Sequence, residues 1–116
     1  MGSEARMAYD DTWQERFSDL LATPEQAVAR IKPGQRVFVG TGCAEPVALV
    51  RALTRRAHEL ADVEIVQLLT KGDAPYASAE FSDRFRINSF FIGSAIRDHI
   101  QEGLGGYTPM LLSDIP

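Results

Sequence analysis

The sequence has a single cysteine, no basic run and no long apolar run, and each absence narrows the class of protein. Because Cys43 is alone among 116 residues, an internal disulfide is excluded and nothing indicates an oxidising compartment. Arg55-Arg56 is the only basic pair and the net charge is −4, so nucleic acid and anionic membrane surfaces are poor candidate partners. No apolar stretch approaches the roughly 18 residues of a membrane span, and residues 1–6 lack an apolar signal core. We therefore expect a cytoplasmic protein.

What remains is the composition of an ordinary folded domain. Hydrophobic residues make up 45% of the chain and charged residues 24%, which is typical of globular proteins. The length suits about one domain. We expect residues 1–12 to be disordered or loosely held, and residues 13–116 to form an α/β domain.

Two helices are predicted before the first strand. An amphipathic helix is indicated by Trp13, Phe17, Leu20 and Leu21, which share one helical face. A second helix begins at 23–26, where threonine, proline and glutamine fit the cap, the first helical position and the capping box.

The rest of the chain alternates strands and helices. Strands are predicted at 36–39, 63–69, 86–92 and 110–112; helices are predicted at 47–60, 79–84 (capped by Ser78) and 95–102, the last closed by Gly103. Strand 63–69 has apolar residues on both sides, which suits a strand covered on both faces. Strand-helix-strand units cross over right-handed, so the sheet should be mainly parallel with flanking helices. The last strand has no closing crossover, and Met110, Leu111 and Leu112 should leave an apolar edge that favours self-association.

The first candidate site is the loop between the first strand and its helix. It reads Gly40, Thr41, Gly42, Cys43, Ala44, Glu45 and Pro46. Backbone N–H groups and the helix dipole at such a place favour an anion or a developing oxyanion, although the loop has neither the third glycine of a dinucleotide fingerprint nor a Walker lysine-serine pair. A tight strand-to-helix turn is the alternative.

Two side chains of this loop carry chemistry. A thiol at a helix N-terminus is activated, but no base is placed beside Cys43, since His58 is about four helical turns away and His99 lies in another element; a small apolar filler is the favoured role. Glu45 is either a nucleophile or base or, as we favour, an acid that complements the helix dipole. No cluster of histidine, cysteine and acidic residues has metal-ligand spacing, and no metal site is expected.

The second candidate site is segment 84–93. Asn88 and Ser89 precede two aromatics and Gly93 at the end of the third strand, which could line an acyl pocket. Strand packing explains the same residues, and from the residues alone packing is favoured.

Several segments, in consistent order over about 13–116, resemble the acetyl-CoA hydrolase/transferase family, which includes acetate and 4-hydroxybutyrate CoA-transferases. The segments are 33–42, 45–46, 49–53, 66–72, 74–76, 85–93, 107–109 and 112–116. The resemblance implies the α/β fold shared by CoA-transferases and ribose-5-phosphate isomerase, here truncated. It also implies an enzyme of two halves, about four times this length.

The resemblance further implies a mechanism whose nucleophile lies outside this chain. In the family, a glutamate of the C-terminal half attacks the acyl-CoA and passes through an acyl-glutamyl anhydride and a glutamyl-CoA thioester. A carboxylate acceptor gives CoA transfer and water gives hydrolysis. We therefore expect no catalytic residue in this chain, no bound cofactor, and a coenzyme A thioester as substrate.

The site residues implied by the resemblance are few. Loop 40–46 matches the family's glycine loop, which faces the active site, and Asn88, Phe91 and Gly93 match the motif near the acyl pocket. Ile87 stands where many members of the family have histidine, and Cys43 stands where hydroxyl or small residues occur, so no specific hydrogen-bonding role is carried over at either position. The implied partners are acyl-CoA, a small carboxylate, the missing C-terminal half and further copies in a homo-oligomer.

Two other functions stay open. The chain could be a stand-alone nucleotide- or phosphate-binding α/β module without catalysis, or a small esterase that uses Cys43 or Glu45.

Overall fold

The fold is a four-stranded parallel sheet whose strands are neighbours in chain order. The computed structural model describes residues 11–115, so most of the segment expected to be loosely held lies outside the described residues. The strands are β1 (Arg36–Val39), β2 (Val63–Gln67), β3 (Phe85–Ser89) and β4 (Gly105–Tyr107). All three pairings are parallel, so the predicted α/β class is confirmed.

The helices are short, and single 3-10 turns supplement them. The α-helices are α1 (Trp13–Arg16), α2 (Pro24–Val28), α3 (Val47–Arg55) and α4 (Arg97–Gln101). The 3-10 turns are Ser18–Leu20, Gly42–Ala44, Ala57–Glu59, Pro75–Ala77, Ala79–Phe81, Ser94–Ile96 and Leu112–Asp114.

The core lies on one face of the sheet. The register aligns Val37, Ile65 and Ile87 across β1, β2 and β3, and right-handed crossovers between successive neighbouring strands put every connection on the same face. The opposite face carries Phe38, which is 59% exposed. β2 alternates buried and half-buried residues, so the described residues bury one face of it rather than the two that were expected.

The first predicted helix is wrong as a single element. α1 ends at Arg16, the backbone of Phe17 leaves the helical region, and a 3-10 turn follows. The apolar side chains remain exposed, from 40% at Trp13 to 79% at Leu20. A helix this short is marginal unless its apolar face is buried, and the described residues give that face little to pack against.

The cap of α2 is confirmed. The backbone N–H of Gln26 donates to the Thr23 hydroxyl over 3.1 Å, and the backbone N–H of Thr23 donates to Gln26 Oε1 over 2.9 Å. At the other end the Arg56 guanidinium donates to the carbonyls of Val28 and Ile31. This tie connects α2 to the end of α3 and orients both over β1.

The predicted last strand is also wrong, because the glycines before it form the strand. A Cβ on Gly105 would lie 2.8 Å from Ile100 Cδ1 and 3.0 Å from His99 Cδ2, so β4 approaches α4 more closely than a side chain allows. Leu111 and Leu112 lie beyond β4 and are about 70% exposed. Glycine pairs normally indicate turns, which is why the pattern misled.

Candidate functional site

Three loops meet where the first three strands end. Loop 40–46 follows β1, loop 68–76 follows β2 and loop 90–93 follows β3. The Gly42 amide donates to the Leu69 carbonyl over 3.0 Å, and the Phe91 amide donates to the Leu68 carbonyl over 2.9 Å. Ligands of parallel sheets usually bind at the carboxyl ends of the strands. The first candidate site, loop 40–46, lies at this edge.

Loop 40–46 is tightly turned, and several of its backbone N–H groups are already hydrogen-bonded. A Cβ on Gly40 would lie 2.9 Å from the Ala44 carbonyl oxygen, and Gly42 has a φ of 58°, so both positions require glycine. The amides of Gly42, Ala44 and Glu45 each donate to a backbone carbonyl. An anion cradle here is therefore limited to the loop's remaining amides.

Thr41 joins the glycine loop to the end of β2. Its hydroxyl donates to the Leu69 carbonyl over 2.9 Å and accepts from the Leu69 amide over 3.1 Å. These two hydrogen bonds extend the contact between β1 and β2 beyond the ends of the strands. The glycine loop is thus fixed to its neighbour and is not a free turn.

Glu45 forms a second tie between the same loops. Its Oε2 accepts from the Thr70 hydroxyl and from the Gly72 amide, each over 2.8 Å. We call this arrangement of Glu45, Thr70 and Gly72 the Glu45 clasp. The residue precedes the N-cap of α3, Pro46, rather than lying in the first turn. The helix-dipole interpretation of Glu45 is therefore replaced by one of loop anchoring.

A buried polar pair lies beneath the clasp, and sequence reasoning missed it. The Tyr76 hydroxyl donates to Gln67 Oε1, and both side chains are at most 1% exposed. Burial raises the pKa of Tyr76 to about 12; the Thr70 hydroxyl opposes this change and the Glu45 charge adds to it. A glutamine flanked by apolar residues within the predicted strand 63–69 was the available signal.

Cys43, the alternative nucleophile, has no hydrogen bond to a base among residues 11–115. The thiol is exposed, so the favoured role of Cys43 as a small apolar filler is wrong. His58 lies 3.9 Å from Glu59 on the surface, and His99 is buried on α4. Within residues 11–115 no group of three histidine, cysteine or acidic side chains is arranged to hold a metal ion.

The three residues of the acyl-pocket motif are not all brought together. A Cβ on Gly93 would lie 3.0 Å from the Thr70 carbonyl oxygen, so Gly93 packs directly on the loop that carries the clasp. Phe91 is 40% exposed at the same edge. Asn88, by contrast, accepts from the Thr108 hydroxyl over 2.8 Å and lines a separate cavity beside β4.

The cavities show which spaces border the site. A cavity of ≈ 90 Å³ between α3 and loop 68–76 is lined in part by Glu45, Gly72 and Asp73. An apolar groove of ≈ 180 Å³ runs between α2, β1 and α3, with Val28, Val37 and Leu49 among its lining residues. The groove belongs to the helix-covered face of β1 and includes Pro46 from the glycine loop.

Known proteins decide the family. Residues 1–116 match the model of the acetyl-CoA hydrolase/transferase N-terminal domain. The chain belongs to this family. The resemblance expected from the sequence is confirmed. A separate observation is that the described part of the chain has no helix with the length and apolar character needed to cross a bilayer.

Curated relatives to which the chain is similar include CoA transferases. It is 33% identical to the 4-hydroxybutyrate coenzyme A transferase of Clostridium kluyveri over 104 residues, which cover 90% of this chain and 24% of the relative. It is 34% identical to the succinyl-CoA:acetate/propanoyl-CoA:succinate CoA transferase of Fasciola hepatica over 103 residues, which cover 87% and 21%. The chain thus spans about a quarter of the length of these relatives.

Solved structures of RipA have the same fold. A mutant form of RipA matches with a TM-score of 0.75 and 27% identity, over 82% of this chain and 24% of its own. RipA from Yersinia pestis matches with a TM-score of 0.68 and 29% identity, over 78% and 23%.

Proposed function

We propose that this chain is the N-terminal part of an acyl-CoA:carboxylate CoA-transferase or acetyl-CoA hydrolase. It lines the acyl and CoA site with loops 40–46, 68–76 and 90–93. The nucleophilic glutamate is supplied by polypeptide outside residues 1–116. The substrates are an acyl-CoA and a small carboxylate, or water in place of the carboxylate.

The observation that carries the proposal is the joining of these loops at one edge of the sheet. Thr41 and Glu45 tie the first loop to the second, and Gly93 presses the third onto it. Gly40, Gly72 and Gly93 bring backbone segments close together at this edge, beside the exposed side chains of Cys43 and Phe91. Backbone amides of these loops that are not already hydrogen-bonded can bind the oxyanion of a thioester and the phosphates of CoA without adding a competing charge.

The proposed reaction divides one difficult acyl transfer into steps on a carboxylate. The glutamate oxygen attacks the thioester carbon, the C–S bond breaks, and CoA leaves as a thiolate from an acyl-glutamyl anhydride. The thiolate then attacks the glutamyl carbonyl carbon of the anhydride, which releases the first carboxylate and forms a glutamyl-CoA thioester. The second carboxylate attacks this thioester to give a new anhydride and free CoA thiolate, and the thiolate attacks the new acyl carbon to give the new acyl-CoA and the free glutamate. Attack by water in place of the second carboxylate gives hydrolysis.

An isotope-exchange assay tests the proposal. Acetyl-CoA and isotopically labelled acetate are incubated with a polypeptide that carries residues 1–116 together with the C-terminal half (the longer polypeptide) and, separately, with residues 1–116. We expect label in acetyl-CoA with the longer polypeptide and none with residues 1–116, because the nucleophile is absent from the latter. Rapid exchange by residues 1–116 would contradict the assignment of the nucleophile to other polypeptide.

Calorimetry separates the proposal from the alternative of a binding module. Residues 1–116 are titrated with CoA, acetyl-CoA and a panel of nucleotides. Micromolar affinity for nucleotides without affinity for CoA would favour a stand-alone nucleotide- or phosphate-binding module.

A thioesterase assay tests the alternative of a small esterase. If residues 1–116 are active alone and Cys43→Ala or Glu45→Gln abolishes this activity, the esterase is favoured.

A further inference from the structure

The Glu45 clasp directs both of its hydrogen bonds to one carboxylate oxygen. Oε2 accepts from the Thr70 hydroxyl and the Gly72 amide, while Oε1 accepts no hydrogen bond from residues 11–115. A single neutral carbonyl oxygen has two lone pairs and can accept the same two bonds. The clasp geometry therefore needs an oxygen at this place but not a negative charge.

The fit of Gly72 shows that the carboxylate sits against backbone. A Cβ on Gly72 would lie 2.8 Å from both Oε1 and Oε2. Any larger residue would push the carboxylate away and break the contact. The backbone of loop 68–76 is thus shaped to receive this side chain.

The clasp lies between all three loops of the proposed site. Glu45 belongs to the first loop, and its two partners belong to the second, 25 and 27 residues further along the chain. The Thr70 carbonyl oxygen is the atom that a Cβ on Gly93 would meet at 3.0 Å. Moving Thr70 therefore changes the position of the third loop as well as the second.

We propose that Glu45 is a positioning residue of the transferase site, whose carboxylate oxygen holds the loop after β2 against the loops after β1 and β3. It does not serve as nucleophile or base. This inference rests on the proposed function. It predicts that the reaction depends on the two accepted hydrogen bonds and not on the ionised carboxylate.

Glutamine is the discriminating substitution, because its amide oxygen can replace Oε2 while its charge is zero. Glu45→Gln should keep kcat within about threefold of the wild type in the longer polypeptide. Glu45→Ala should lower kcat by about 10- to 100-fold, the loss that misplacement by roughly 1 Å produces, with a smaller change in KM. Thr70→Ser keeps the donor and should retain activity, whereas Thr70→Val should resemble Glu45→Ala. Glu80→Ala, at an exposed acid outside loops 40–46, 68–76 and 90–93, is the matched control.

Hydrogen exchange in residues 1–116 reads the clasp without any activity. The Gly72 amide should be protected in the wild type and in Glu45→Gln, and should exchange at least tenfold faster in Glu45→Ala. If Glu45→Gln keeps this protection but is as inactive as Glu45→Ala, the carboxylate has a chemical role and the inference is wrong. Unchanged exchange in Glu45→Ala would also overturn it. A wild-type polypeptide with neither CoA-transferase nor acetyl-CoA hydrolase activity would instead refute the proposed function, and the exchange of the Gly72 amide would then be the test of the clasp.

Discussion

The buried Tyr76–Gln67 pair should make the fold sensitive to alkaline pH. The pKa of Tyr76 is raised from 10.0 to about 12, chiefly because burial penalises the phenolate. A group whose pKa is raised on folding stabilises the fold fully below its unfolded pKa and loses that contribution as the pH rises through its folded pKa. Two pKa units correspond to about 2.7 kcal/mol.

Tyr76→Phe isolates this contribution. Near neutral pH the variant should be less stable by about 1–3 kcal/mol, because Gln67 Oε1 is left buried without its donor. Between pH 10 and about 12 the wild type should lose this advantage, since its phenol ionises more readily when the chain unfolds. The difference in the free energy of unfolding between the two proteins should therefore shrink by about 2–3 kcal/mol across this range.

Urea unfolding followed by circular dichroism, at a series of pH values from neutral to alkaline, measures this difference. Tyr107→Phe is the control, because Tyr107 is 49% exposed and its substitution should have little effect at any pH. If the difference between wild type and Tyr76→Phe stays constant from neutral pH through the alkaline range, the pKa of Tyr76 is not raised by folding.

Two further predictions concern β4 and the segment after it. Gly105→Ala should lower the free energy of unfolding by about 1–3 kcal/mol, because its Cβ would lie 2.8 Å from Ile100 Cδ1; Gly106→Ala, whose nearest contact is 3.5 Å, should cost less in the same chemical denaturation experiment. Residues 1–116 should self-associate through exposed Leu111 and Leu112. Light scattering at high concentration should show fewer oligomers after Leu111→Ser with Leu112→Ser, and a monomeric wild type would contradict this prediction.

The features predicted correctly from the sequence are those whose causes are local. The capping box at Thr23 depends on residues three apart, and β1 with its glycine loop and helix forms a pattern complete within about 25 residues. The family could be recognised because several such patterns occur in a fixed order. None of these required knowledge of what packs against them.

The features missed depend on residues far apart in the chain. Gly105 is a strand residue because it pairs with Ile87 of β3, and α4 lies too close to it for a larger residue. Trp13 begins a broken helix because no described core receives its face. The role of Glu45 depends on Thr70 and Gly72, which lie about 25 residues away in another loop. From sequence alone, an acid before a helix is equally consistent with a dipole, a base or an anchor.

We propose that the loops after β1, β2 and β3 form one wall of an acyl-CoA site. Hydrogen exchange of a polypeptide that carries residues 1–116 and the C-terminal half, measured with and without acetyl-CoA, tests this placement of the site. We predict that acetyl-CoA slows exchange in loops 40–46, 68–76 and 90–93 and leaves α1 unaffected. If acetyl-CoA binds and slows exchange only outside these three loops, the account is contradicted.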